Sequence, residues 1–181
     1  MTDSSMPDIS TLLERGPLAV KKWLAGVEPG NQLSTERFNW LGLAEAAASN
    51  ARSGLDLDWA DVAISLYSGL ARKLDSDSRR ESLMYSQMNL RAFLIARLGS
   101  VSGHPILDPQ TIIDWFRDAL VISAKEASAK AAHWPQLDLN SIRELRRIKN
   151  RLSPIRVLED ANVLPAEHGL GDWLSIREQL P

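Results

Sequence analysis

Cysteine is absent from the 181-residue chain, which excludes thiol nucleophiles, cysteine zinc sites and a disulfide framework. Only three histidines occur, His104, His133 and His168. No two stand at the four-residue spacing that places a zinc pair on one helix face, so neither a metal site nor a cofactor is expected. An excess of one charge is lacking too. The 21 Lys and Arg against 23 Asp and Glu leave a net −2, too little to drive nucleic-acid binding through the field of the whole molecule. No apolar run nears the ~20 residues of a membrane span, and the first ten residues lack both the basic and the apolar part of a signal peptide. No membrane partner is expected, and a cytoplasmic location is. A Gly-rich phosphate loop and a Gly-x-Ser-x-Gly elbow are also missing. What remains is a chain with 44% hydrophobic residues, long enough to hold a core without a staple. It is expected to form a single all-helical domain over residues 1–181.

Strand patterns are scarce and helix signals are dense. A segment over Asp8 to Arg15, with Thr11 and Glu14 in capping-box spacing, stops at Gly16-Pro17, where proline can open the next helix. That helix ends near Gly26, and Pro29-Gly30 is a turn. Ser34 or Thr35 is the expected cap of a segment in which Phe38, Leu41, Ala44, Ala48 and Ala51 recur at helical steps, closed by Gly54. Asp58 is the expected cap of a fourth helix with Trp59, Val62, Leu66 and Leu70. Ser78 and Glu81 mark the start of a fifth that runs to Gly99. Asp108-Pro109 opens a long helix expected to continue through Ala132. Asn140 or Ser141 starts another, which Pro154 is expected to interrupt. Asp172 is the expected cap of a last short helix. The fold class is therefore all-α, with consecutive antiparallel helical hairpins in a repeat-like stack or an orthogonal or up-down bundle. An N-terminal helical segment (1–30) and an acidic C-terminal segment (155–181) are expected to pack on it.

Three helix starts echo one another: Leu55-Asp56-Leu57-Asp58, Pro105-Ile106-Leu107-Asp108 and Leu137-Asp138-Leu139-Asn140. Any capped amphipathic helix with an apolar residue before its cap would look this way. The alternative is a degenerate repeat. Met88, Arg91-Ala92, Ile95 and Gly99, followed by Ile112, Phe116 and Ala119, resemble the two helices of a tetratricopeptide repeat. So do Trp40, Leu43-Ala44, Ala47 and Ala51, followed by Ala63, Tyr67 and Leu70. The period here is about 49 residues, against ~34 in that family. The resemblance implies a stack of helical hairpins that binds a protein or peptide partner. It nominates Ser86, Asn89, Phe93 and Arg97, on the first helix of the second unit, as partner contacts.

Two other features suggest function. Arg97 and His104, with six residues between them, resemble the Arg-x(4–6)-His signature of the HEPN superfamily, all-α domains of which many are ribonucleases. In that alternative the imidazole moves a 2′-hydroxyl proton while the guanidinium steadies phosphate charge. The other feature is a basic run, Arg143, Arg146, Arg147, Lys149, Arg151 and Arg156, most of it on the outward side of a helix whose apolar seam is Ile142, Leu145, Ile148 and Leu152. Such a face can meet an RNA backbone, an acidic protein or an anionic membrane, or it can be neutralised by the acidic residues that follow. The six tryptophans are expected in the core, with Trp134, beside Pro135 at a helix end, as the candidate partner anchor. The leading expectation is a non-enzymatic protein-protein interaction module. The alternative is an HEPN-like ribonuclease or a helical RNA-binding protein.

Overall fold

A computed structural model describes residues 7–27 and 38–181, and every regular element among them is a helix. The α-helices are α1 (Ile9–Glu14), α2 (Pro17–Gly26), α3 (Trp40–Gly54), α4 (Leu57–Lys73), α5 (Asp77–Leu98), α6 (Pro109–Arg117), α7 (Ala124–Ala131), α8 (Leu139–Asp160) and α9 (Gly171–Ile176). Short 3-10 turns occupy Trp134–Gln136 and Arg177–Gln179. The all-α class is thus realised. The chain forms two compact units, Met1–Leu90 and Arg91–Pro181, with the division inside α5. The expected turn at Pro29-Gly30 and the expected cap at Ser34 or Thr35 lie outside the described residues.

The first unit is built on alanine. Ala44, Ala47, Ala48 and Ala51 of α3 and Ala60, Ala63 and Ala71 of α4 are all buried. Side chains this small let two helix backbones approach closely, and α3 and α4 form the most extensively packed pair of the described elements. Larger residues fill the margins: Trp40 and Leu43 on α3, and Trp59, Leu66 and Tyr67 on α4. Burial pushes the Tyr67 phenol above its ordinary value. α1 packs on α2 and α3, and α2 packs on α4. Lys21 of α2 reaches Asp61 of α4 at 2.6 Å and Asp58 at 3.6 Å. Trp23 stacks on Trp40 with centroids 5.6 Å apart, and Phe38 meets Trp40 edge-on at 4.6 Å. These rings tie the end of α2 to the start of α3.

In the second unit the packed pairs are one helix apart in the chain: α6 on α8, and α7 on α9. Its core is larger-grained, with Ile112, Ile113 and Phe116 of α6 and Leu145, Ile148, Ile155 and Leu158 of α8 buried. Trp173 of α9 meets Phe116 edge-on at 5.6 Å.

Several helix limits differ from the sequence expectation. The first helix is capped by Asp8, which accepts from the Thr11 N–H, rather than by a Thr11-Glu14 box. α3 starts at Trp40, with Asn39 accepting from the Gly42 N–H. Phe38 therefore precedes the helix. α4 is capped by Asp56, which accepts from the Asp58 and Trp59 N–H groups, and Asp58 is already inside. α8 is capped by Asp138 in place of Asn140 or Ser141. A short aspartate side chain reaches the N–H two or three residues on, and at these two starts Asp56 and Asp138 do so. The long helix expected through Ala132 is broken after Arg117. Ser123 and Glu126 form a full capping box and restart the chain as α7. Conversely, Pro154 sits inside α8 without ending it. Pro154 is itself buried, with Leu152, Ile155 and Leu158 on the same helix, and that burial offsets the missing backbone hydrogen bond. α9 begins at Gly171, leaving Asp172 in its first turn rather than at its cap.

Candidate functional site

The residues nominated on α5 are drawn largely into local structure. The Ser86 hydroxyl donates to the Ser82 carbonyl at 3.2 Å, and the Asn89 amide donates to the Tyr85 carbonyl at 2.9 Å. The Arg97 guanidinium lies 4.8 Å from the centre of the Phe93 ring, a cation–π contact one helical turn long. Ser86 and Asn89 belong to the first unit, Phe93 and Arg97 to the second.

The loop after α5 is a cross-braced turn. Gly99, with φ 96°, lets the chain leave the helix in a conformation that a side chain disfavours. The Val101 N–H donates to the Leu107 carbonyl at 2.9 Å, and the Gly103 N–H to Asp108 at 2.8 Å. His104 Nδ1 accepts from both the Ile106 and Leu107 N–H groups, at 3.0 and 3.1 Å. A ring nitrogen that accepts carries no proton, so this ring presents its N–H at Nε2. Beneath the loop Arg91, 8% exposed, donates to the Pro105 carbonyl at 2.6 Å. No hydrogen bond joins His104 to Arg97, and each has its own local partner. Arg91 escaped sequence reasoning as a loop brace because it occupied an apolar repeat position.

α8 sorts its basic residues three ways. Arg151 is turned inward at 4% exposure. It donates to the Trp115 carbonyl and lies 4.4 Å over the Trp115 ring, so it fastens α8 to α6 and leaves the outward basic face. Lys149 donates to the Leu180 carbonyl at 3.0 Å, and Arg156 pairs with Glu178 at 3.3 Å and Asp160 at 3.9 Å. Arg177 pairs with Glu159 and Glu178. The C-terminal stretch thus draws charge from the later half of α8. Arg143, Arg146 and Arg147, in the earlier half, are exposed. Among the described residues no carboxylate pairs with Arg143 or Arg146. Glu144, between them, lies 3.8 Å from Lys130 of α7.

Ahead of these arginines stand two large apolar side chains in water. Trp134 is 43% exposed and Leu139 is 69% exposed. Leu139, Arg143 and Arg146 follow at i, i+4 and i+7, on one helix face spanning about 10 Å. Trp134 sits in the 3-10 turn that leads into α8. Its indole N–H has no acceptor among the described residues. Leu139 was hidden in the sequence because it reads as an apolar residue before a cap. With Asp138 as the actual cap, it becomes the first helical residue and points to solvent.

Among the described residues no cluster of three His, Asp or Glu side chains is arranged to hold a metal ion. No described helix is long and apolar enough to cross a membrane. No family model, curated protein or solved structure matches the chain.

Proposed function

We propose that this chain is a helical protein-protein interaction module whose docking surface is the head of α8. The observation that carries the reading is the exposure of Trp134 and Leu139 beside Arg143 and Arg146. Tryptophan and arginine are enriched among interface hot spots, and exposed apolar side chains rimmed by polar ones mark interaction sites. The alanine-lined α3–α4 hairpin supports the further reading of a tetratricopeptide-like scaffold, since close helix approach through small residues is the physical basis of that repeat. The α8 head is preferred over the α5 face because Ser86, Asn89 and Arg97 already satisfy local partners.

The test is recovery of a partner from source cells by tagged wild-type chain and by the Trp134→Ala/Leu139→Ser variant, quantified by mass spectrometry. A specific protein is expected to fall at least tenfold with the variant while the melting temperature stays within about 2 °C, because exposed positions contribute little to folding. Undiminished recovery by the variant, or no specific protein with wild type, refutes the reading.

A further inference from the structure

We infer that the head of α8 takes an acidic peptide segment with an apolar anchor, an inference that rests on the interaction-module reading above. The charge selects the sign of the partner. Arg143 and Arg146 are exposed and meet no carboxylate among the described residues, although acidic side chains are plentiful elsewhere in the chain. The arginines toward the other end of α8 are matched by Asp160 and Glu178 or buried against Trp115. Among the described residues, guanidinium groups without a carboxylate partner are therefore left at Arg143 and Arg146, toward the start of the helix, where their planar forks suit carboxylate oxygens in pairs. Leu139, one turn before Arg143, and Trp134 supply the apolar contact, and the Trp134 indole N–H supplies a donor. The face from Leu139 to Arg146 is about 10 Å long, the length of two helical turns or of three extended residues.

Size and chemistry disfavour the other occupants. A protein that makes ~6–10 phosphate contacts needs a broad set of open cations, whereas on α8 Arg151 is turned inward, Arg156 is paired with Glu178 and Lys149 is held on the Leu180 carbonyl. Leu139 has no π-face on which a base can stack. For a bilayer, even a whole myristoyl chain gives only marginal binding, and one leucine with one tryptophan buries less.

The experiment is selection of a phage-displayed random 12-residue peptide library on the immobilised full chain, followed by solution titration of the enriched peptides. Enrichment of peptides rich in Asp and Glu around a Leu, Phe or Trp is expected. Arg143→Glu/Arg146→Glu should weaken them at least tenfold and Leu139→Ser about fivefold, with unchanged helical circular dichroism. Raising the salt from 50 to 300 mM should weaken them further, as screening of exposed charge requires. Neutral or basic peptides that are lost with Trp134→Ala would overturn the acidic partner and leave the module reading standing. If no peptide is enriched, the acidic-peptide inference fails, the module reading is decided by partner recovery from source cells, and three parallel measurements show what the face does instead. These are binding of oligouridine, binding of phosphatidylserine vesicles, and self-association abolished by the charge reversal. Enriched acidic peptides indifferent to the charge reversal would also overturn the inference.

Discussion

The two units solve the same packing problem with different materials. The first, with nine Lys and Arg against twelve Asp and Glu, brings helices together through alanines; its ion pairs lie near the surface, and its buried polar side chain is the neutral Gln87, which donates to the Ser68 hydroxyl at 2.6 Å. The second, with twelve against eleven, inserts arginine guanidinium groups into its interior. Arg91 holds a loop carbonyl and Arg151 holds the Trp115 carbonyl and ring. Where side chains are small, the backbones set the spacing and any added volume is felt at once. Where a buried cation links two elements, the stability rests on one multiply bonded group, and losing it strands the acceptor. The difference also bears on function: the unit that buries arginines is the one that leaves arginines open at the head of α8.

The largest break should come from Arg151→Ala. Loss of a charged hydrogen bond and a buried cation–π contact should cost about 3 kcal/mol in urea denaturation. Arg151→Lys should recover little of it, since an ammonium cannot reproduce the planar stacking. A loss under about 1 kcal/mol would show that the second unit does not depend on this anchor. Next is the converse experiment in the first unit. Ala47→Leu adds volume at a fully buried α3 position and should destabilise by about 2 kcal/mol. If it is tolerated, the helices of the first unit are not set by small-residue packing.

Smaller effects sharpen the comparison at helix ends. Asp138 has its carboxyl held below the ordinary 3.8, first by the hydrogen bond from the Ser141 backbone. A depressed carboxyl contributes stability that is present above the unfolded value and lost as the pH falls through the lower folded value. Thermal melts of wild type should therefore lose the Asp138 contribution below about pH 3.8. Asp138→Asn, which retains a cap, should remove that part of the acid dependence, and Asp138→Ala should lower the melting temperature by a few degrees at neutral pH. The smallest change should be a gain. Leu55 ends α3 in the left-handed region at φ 49°, a conformation that L side chains disfavour. Leu55→Gly should stabilise the first unit by about 0.5 kcal/mol, the relief of that strain less the entropy of a freer unfolded chain. A loss on calorimetry would mean that the Leu55 side chain contributes more by packing than its conformation costs.

Much of this architecture was legible from residue order. Helical periodicity located the apolar faces, and the buried Ala44, Ala47, Ala51, Ile112, Phe116 and Ile148 are those that the spacing selects. The Leu-Asp echo was visible as well, but its register was not. Asp56 caps α4 in place of Asp58 and Asp138 caps α8 in place of Asn140 or Ser141, because the outcome depends on which side chain reaches the free N–H groups. The break between α6 and α7 was missed because Leu120, Val121 and Ile122 keep an apolar rhythm through a stretch that is not helical. Pro154 misled in the opposite direction, since its cost is local and the burial that offsets it is not.

Residue order alone determined the helical class, the apolar stripes and the presence of a basic run, because these follow from spacing along one chain. Only the tertiary structure decided which arginine points inward, which are matched by the C-terminal acids and which stay open beside Trp134 and Leu139. Those outcomes depend on groups up to 36 residues away, as between Arg151 and Trp115. Local periodicity carries no information about which distant carbonyl, ring or carboxylate a charged side chain will meet.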